Sequence, residues 1–421
     1  MHMIKIVIPT IILSVINFLT LITYSDSGTA DTNRAGTKDR TEIIDISQSF
    51  GKEEYVFASS LFSEIRYIPL ESTLESFMRS VIEVNMVGDN IIVLTSDYLI
   101  FRFNSAGKFL NRIGSVGRGP DEYLIPIKIS VTEDSGKIAV LENNEGGRVH
   151  IYNFDGKCER SFKSPTFATG LSYRPNMVLL WVNMPLVSLT DNYSLFILDL
   201  SGKIRNRLLL RTKDVPKNPA VLQMEGPKFY RFRDSLSIWE ANIDTIYRFV
   251  DEKNVFPRYV LRAGKDHLTW EKRSRTYSGD ASVRNSSVYF SEMVETEQSI
   301  FLIASVKGER KNYIYSKKNK KVVSLQNMTF FNGALSWRGI LNDIDGGPSI
   351  WPSCSYSRND IITTIEPLAL KRHLENVVNL KKTGNLPKLL EYDNKKHEAL
   401  IKQLSAVGEN SNPWVVIAKL K

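Results

Sequence analysis

The feature that most constrains this chain is a hairpin phrase that returns at nearly constant spacing. Phe101-Arg102-Phe103-Asn104-Ser105-Ala106-Gly107-Lys108 alternates large and smaller side chains, then breaks at a turn. His150-Ile151-Tyr152-Asn153-Phe154-Asp155-Gly156-Lys157 repeats it, and Phe196-Ile197-Leu198-Asp199-Leu200-Ser201-Gly202-Lys203 repeats it again. The three glycines are 49 and 46 residues apart. Asn or Asp ahead of a glycine permits the left-handed conformation that a tight hairpin needs. Alternation before the turn sends every second side chain to a buried face. Tyr247-Arg248-Phe249 and Tyr313-Ile314-Tyr315 continue the series, with the strand kept and the glycine lost.

Apolar runs precede these hairpins at Asn90–Leu94, Lys137–Leu141, Met177–Val182 and Ser299–Ala304. Each unit therefore offers about four short strands, the make-up and period of a β-propeller blade. A parallel β-helix repeats over a shorter length, and a sandwich does not repeat at this period. Five hairpins give five blades. Strands within 349–365 and at Ile65-Arg66-Tyr67-Ile68 supply a sixth, so that both chain ends close the ring and remove exposed edges. The expected fold is an all-β, six-bladed propeller of four-stranded antiparallel blades over 43–421, with a short C-terminal helical appendage. In that appendage, apolar residues at 370, 374, 377 and 378 share a helical face. Pro387 opens a second helical stretch, and Pro413–Ala418 reads as a strand.

Residues Ile4–Ile22 are almost entirely apolar, with Asn17 the main exception and Lys5 a positive start, and a polar linker over 25–42 follows. Residues 1–24 read as a signal peptide or an N-terminal membrane anchor. Tyr24, not a cysteine, follows the apolar run, so no lipid attaches there. The expected location is the periplasm or cell envelope. The formal net charge is +9. Ten Lys or Arg against five Asp or Glu lie between Lys371 and Lys421, in a segment with helical patterning. That excess reads as a solvated helix face, not a nucleic-acid surface. Cys158 and Cys354 stand 196 residues apart with no Cys-x-x-Cys pair, which favours two separate thiols over a zinc site or disulfide.

The run Ile113-Gly114-Ser115-Val116-Gly117-Arg118-Gly119-Pro120-Asp121-Glu122-Tyr123 resembles the Gly-x-Gly-Pro-Gly-Glu-aromatic turn of NHL-type propeller repeats. Further matching runs are Tyr67-Ile68-Pro69-Leu70-Glu71, Asp343-Ile344-Asp345-Gly346-Gly347 with Trp351-Pro352, and Asn412-Pro413-Trp414. With these, the chain from Ile43 to Lys421 resembles the 6-bladed beta-propeller family of exported Bacteroidetes proteins. The resemblance implies a fold and an exported compartment, and it transfers no catalytic residue. Asp121 stands where the family has glycine, and the cysteine of its lipoprotein members is missing.

Gly114, Gly117 and Gly119 are followed by Pro120 and an extended run, not by the helix a phosphate loop requires. They read as an inter-blade turn in which Arg118 or Glu122 ties neighbouring loops, and Arg118, Glu122 and Tyr123 are candidate ligand contacts. None of the five histidines is at metal-ligand spacing from another. Trp337, Asp343, Asp345 and Trp351 place aromatic platforms beside carboxylates, which suits sugar binding or a Ca²⁺-assisted contact; the competing reading is a packed loop. Otherwise no cofactor or metal is implied. The expected function is a non-catalytic, monomeric binding or scaffold module for a glycan, a peptide or an envelope protein. The alternatives are a carbohydrate-active hydrolase or lyase working at the propeller mouth, and the sensory part of a membrane-tethered complex.

Overall fold

The alternating runs form four-stranded antiparallel sheets, each following the chain order of its strands. The computed structural model describes residues 41–132, 136–142, 147–182, 193–210, 228–232, 235–241, 243–269, 272, 281–330, 335–352 and 360–421. The expected leader over 1–24, all but the end of the linker, and Cys354 lie outside these residues. No described helix is long and apolar enough to cross a membrane. A strand, β1 (Glu42–Asp45), begins at the end of the expected linker; β2 (Glu53–Glu54), a helical turn α1 (Ala58–Leu61) and β3 (Phe62–Pro69) follow.

Blade 1 comprises β4 (Val81–Val87), β5 (Asn90–Thr95), β6 (Ile100–Asn104) and β7 (Phe109–Arg112). Blade 2 comprises β8 (Pro126–Thr132), β9 (Lys137–Glu142), β10 (Arg148–Asn153) and β11 (Cys158–Lys163). Blade 3 comprises β12 (Gly170–Arg174), β13 (Met177–Trp181), β14 (Leu195–Leu198) and β15 (Ile204–Leu208). Blade 4 comprises β16 (Lys228–Phe232), β17 (Ser235–Trp239), β18 (Thr245–Phe249) and β19 (Val255–Arg262). After a helical turn, α2 (Ala281–Asn285), blade 5 comprises β20 (Val288–Glu295), β21 (Ser299–Val306), β22 (Glu309–Ser316) and β23 (Lys321–Leu325). The six sheets stand in a ring. First strands of neighbouring blades touch, β4 with β8, β8 with β12 and β12 with β16, which places them at the axis. Second strands are buried on both faces, and fourth strands are the most exposed.

The sixth blade closes the ring as expected. A small hairpin, β24 (Met328–Phe330) and β25 (Leu335–Trp337), precedes β26 (Asp360–Ile365). The C-terminal β27 (Trp414–Leu420) runs between β26 and the N-terminal β3, antiparallel to both, so the C-terminal strand has no free edge and β3 forms the outer edge of the blade. Among the described residues this blade has three strands, against the four expected.

The helices are an insertion within this blade, not a tail. α3 (Pro367–Lys382) and α4 (Asn394–Val407) lie between β26 and β27. Leu370, Leu374 and Val377 face inward as the spacing predicts. Pro387 opens only a single helical turn over Lys388–Leu390; α4 starts later, where Asp393 accepts from the Lys395 and Lys396 amides.

Apolar packing lies between blades. Ile91, Val93, Phe101 and Phe103 of blade 1 pack on Ile362, Val415 and Ile417 of blade 6. Ile92 and Leu94 turn to Ile138, Val140 and Tyr152 of blade 2. The hairpin glycines serve the same contact. Gly107, Gly156 and Gly202 have φ of +84°, +83° and +87°. A Cβ on Gly107 would sit 2.1 Å from Pro69 O, on Gly156 2.4 Å from Arg112 O, and on Gly202 2.5 Å from Phe162 Cδ2. Each turn therefore leans on the outer strand of the preceding blade, where a side chain has no room.

Candidate functional site

Antiparallel strands send their connections to two ends of the ring. In blades 1–5 the links from first to second and from third to fourth strand are two to five residues long. The links from second to third strand, and from blade to blade, emerge at the opposite end. In blades 1, 2, 4 and 5 the second-to-third links are also two to five residues long; the long described connections at this end are residues 113–125 and, in blade 6, the α3–α4 insertion. These described long connections thus lie at one face, the usual place for recognition on a rigid scaffold.

The glycine-rich link 113–125 is built from within. Tyr123 and Ser115 pair through backbone, as do Gly117 and Tyr123. Glu122 accepts the Gly119 amide at 2.7 Å and the Ser115 hydroxyl at 3.4 Å. A Cβ on Gly117 would lie 1.9 Å from this carboxylate, which explains the glycine. Glu122 therefore holds its own turn, where the sequence suggested a tie to a neighbouring loop. That tie comes from Tyr152, whose hydroxyl donates to Asp121 O at 3.0 Å. Asp121 does not take a left-handed conformation. Tyr123 is 1% exposed and donates to Ile113 O at 3.0 Å, so it is a packing residue with no face for a ligand. Arg118 is exposed at the tip of the link.

Beneath this face lie buried acidic groups that sequence reasoning missed. Glu142 and Glu240 follow the apolar part of β9 and β17, at matching blade positions. Glu142 is 3% exposed, accepts the Leu124 amide and stands 3.6 Å from His150 Nε2. It anchors the glycine-rich link from below. Glu240, fully buried, accepts the indole N–H of Trp181 from blade 3. Asp244 meets His267 at 2.9 Å, joining blade 4 to the link that enters blade 5. The signal was present: an acid closing an otherwise apolar strand, as in Val140-Leu141-Glu142 and Ile238-Trp239-Glu240. These pairs occupy different seams, and among the described residues no three His, Cys, Asp or Glu side chains gather as a metal site.

A second buried cluster joins blades 4 and 5. Glu295 is 1% exposed; Arg258 and Lys317 both donate to its Oε1, and the Tyr230 hydroxyl donates to Oε2 at 2.8 Å. Lys317 also lies 3.8 Å from the centroid of the Phe232 ring. Desolvation brings its ammonium down to about 8, against the pull of Glu295.

The acidic turn near the helices is structural. Asp343 accepts the amide of Ser59 at 2.8 Å and its hydroxyl, capping α1. Asp345 is 5% exposed and accepts from Asn342 Nδ2 at 2.7 Å, Gly347 N at 2.8 Å and the Tyr67 hydroxyl at 3.2 Å. Burial pushes its carboxyl above the ordinary range despite these bonds. His397 donates to Asp345 O at 2.8 Å and His373 to Gly346 O at 3.3 Å, so both helices dock on this turn. The two aspartates point to different partners, and the arrangement is not a shared cation site. Trp351 packs edge-on against Phe301, with centroids 5.6 Å apart. Trp337 belongs to β25, and its side chain lies outside the description. Buried Asn412 ties the link between blades 6 and 1, accepting the Met78 amide at 2.9 Å and donating to Glu71 O and Ser76 O.

Between α3 and α4 runs a groove of about 670 Å³, floored by Leu374, Val378, Ile401 and Leu404. Lys371 and Glu409 pair at its rim. It belongs to the same end of the ring as the long connections, because the helices leave and rejoin blade 6 there.

Among solved structures, a Bacteroides fragilis protein named "Putative exported protein" matches at TM-score 0.67 and 17% identity, over 90% of this chain and 99% of that one. At that identity the likeness speaks for the fold alone. A DUF4221 family member from Bacteroides vulgatus reaches TM-score 0.43 and 13% identity, over 62% of this chain and 85% of that one. Protein brain tumor of Drosophila melanogaster is 31% identical over 81 residues, 19% of this chain. The chain spans 8% of the length of that curated relative. The family model described as "Domain of unknown function (DUF4934)" matches residues 41–419, nearly the whole propeller. The chain therefore belongs to the DUF4934 family.

Proposed function

We propose that the protein is a binding module working outside the cytoplasm, and that it recognises a glycan, peptide or envelope protein through the end of the ring that carries the long connections. The observation behind this reading is the place of the described long connections: the glycine-rich link 113–125 and the two-helix insertion share one end, while at the other end every link of blades 1–5 is two to five residues long. Evolution elaborates loops where contact is made, and a rigid ring holds them in place. Arg118 and the α3–α4 groove are the described contacts offered there. The apolar run Ile4–Ile22 supports export. A hydrolase or lyase is the second reading. It draws on the Asp244–His267 pair, an imidazole oriented by a carboxylate, as general-base catalysis requires.

A thermal-shift screen of the chain against polysaccharide fragments, peptides and divalent cations, with EDTA controls, tests the proposal. Stabilisation by one class should disappear on Arg118→Glu or Val378→Glu and survive Asp89→Lys at the short-turn end. The reverse pattern would sink it. Turnover of a hit that His267→Ala abolishes would establish the second reading instead.

A further inference from the structure

The N-terminal strands show how this propeller receives an added strand. β2 lies parallel to β23 on the outer edge of blade 5, with Glu53 opposite Ser324 and Glu54 opposite Leu325. Its anchor is ionic: Lys311 on β22 donates to Glu53 Oε1 at 2.7 Å, and this contact holds the Glu53 carboxyl below its ordinary range. Gln326 then donates its amide to Glu54 O at 2.8 Å. β1 joins blade 4 in the same sense, parallel to β19, with Lys320 donating to Glu42 at 2.6 Å. Both added strands are acidic, and both meet a lysine of blade 5: Lys311 on β22 beside β2, and Lys320 in the turn before β23, which reaches across to β1 on the edge of blade 4.

Blade 2 repeats the receiving surface of blade 5. Tyr313 faces Ser324 across β22 and β23, and His150 faces Ser161 across β10 and β11. Two residues before each aromatic position stands a cation, Lys311 in blade 5 and Arg148 in blade 2. Arg148 is exposed, and its guanidinium donates to Ser161 Oγ at 3.0 and 2.7 Å, which holds it over the edge. β11 is the last strand of its sheet. The Ser164 amide donates to Gly147 O, which sets the phase of the ladder. Arg160 and Phe162 then bond inward to β10, while Ser161 and Lys163 turn their peptide groups outward. Blades 1 and 3 close their edges with side chains. The Phe109 amide donates to Glu71 at 2.8 Å, Asn111 Nδ2 donates to Arg112 O at 2.8 Å, and the Arg207 amide donates to Asn206 Oδ1 at 2.8 Å.

We propose that the outer edge of blade 2 binds an extended acidic segment of a partner protein, added parallel to β11 with a partner carboxylate on Arg148. Backbone bonds to Ser161 and Lys163 supply affinity, and the sign of the side chains supplies selectivity. The edge is basic, since Lys157, Arg160 and Lys163 flank it and Glu159 is already paired with Lys137. This surface is separate from the loop end discussed above.

The test uses a fluorescein-labelled peptide with the sequence of residues 50–57, Phe50-Gly51-Lys52-Glu53-Glu54-Tyr55-Val56-Phe57, added to the full chain, whose blade 5 edge is already filled by β2. The expected result is saturable binding, weakened roughly tenfold or more by Arg148→Glu. A peptide carrying lysine in place of both glutamates should bind the Arg148→Glu variant in its stead. Ser161→Pro should abolish binding without unfolding the protein, because the Ser161 amide serves no internal bond. Absence of binding, or binding that ignores both variants, overturns the proposal. Loss on Lys311→Glu with retention on Arg148→Glu also overturns it, since the peptide would then be exchanging with β2.

Discussion

Replacing Gly107 by alanine tests the claim that the turn glycines exist to let blades touch. Gly107 has φ +84°, and an added Cβ would lie 2.1 Å from Pro69 O and 3.0 Å from Ile68 Cγ2, both on the outer strand of blade 6. Gly308 is the internal control, with φ +86° and nothing within 4 Å of an added Cβ. Both substitutions force a side chain into left-handed backbone, at a cost of about 1–2 kcal/mol. Only Gly107→Ala adds overlap with a backbone carbonyl, which is relieved by moving the turn or β3, a further cost of about 1–3 kcal/mol. The expected losses are therefore about 1–2 kcal/mol for Gly308→Ala and about 2–5 kcal/mol for Gly107→Ala. Gly156→Ala, with its Cβ 2.4 Å from Arg112 O, should follow Gly107→Ala. Guanidinium unfolding followed by tryptophan fluorescence reads the difference. Equal losses at Gly107 and Gly308 would refute the reasoning, because the backbone conformation alone would then account for the glycine.

Lys317 gives a pH signature. Its pKa is 10.5 ordinarily and about 8 in the fold, so between those values the unfolded chain binds more protons and stability rises with pH. The full rise is on the order of 3 kcal/mol, and Lys317→Met should remove that slope between pH 8 and 10.5 in guanidinium unfolding; an unchanged slope would place its origin elsewhere. Val416→Pro should destabilise the chain by about 3 kcal/mol or more, because Val416 pairs with Thr363 on one side and Tyr67 on the other in the closing blade. A shift in the unfolding midpoint no larger than that of Ser161→Pro would argue against closure through β27.

The blades were legible because their signal is local. Alternation and an Asn- or Asp-led turn are read from eight consecutive residues, and three intact copies fix the period. The closing strands are legible as strands, β27 as an apolar run and β3 from Ile65-Arg66-Tyr67-Ile68, but their pairing with each other joins residues more than 300 positions apart and leaves no local mark. The helix pair was recognised by its apolar face, yet its place as an insertion depends on where β27 returns. Site residues fared differently. Asp343 and Asp345 share a turn in sequence, while Ser59 claims one and Tyr67 the other, and both partners come from the far end of the chain. Glu142 and Glu240 passed unnoticed because a lone acid after an apolar run looks like the start of a loop. What makes each one structural is a donor from elsewhere in the ring, the Leu124 amide or the Trp181 indole.

The loss of the turn glycine in blade 5 follows from the added strands. In blades 1–3 the hairpin turn meets the preceding outer strand directly, and only glycine fits against its backbone or, at Phe162, its ring. Blade 5 follows blade 4, whose outer edge carries β1. Its turn ends in Lys320, still left-handed at φ +59°, and that side chain reaches out to Glu42 of β1. Where an extra strand covers the edge, the close backbone approach is replaced by an ion pair, and the residue changes from the smallest to one of the longest. The same segment then continues to blade 5 as β2 and to blade 6 as β3, so one run of chain bridges the outer edges of three consecutive blades before the ring begins its first. Those outer strands are joined to one another covalently as well as by packing. A propeller whose blades otherwise touch only their neighbours thereby gains a constraint across half its circumference, and that half includes the seam where the chain ends meet.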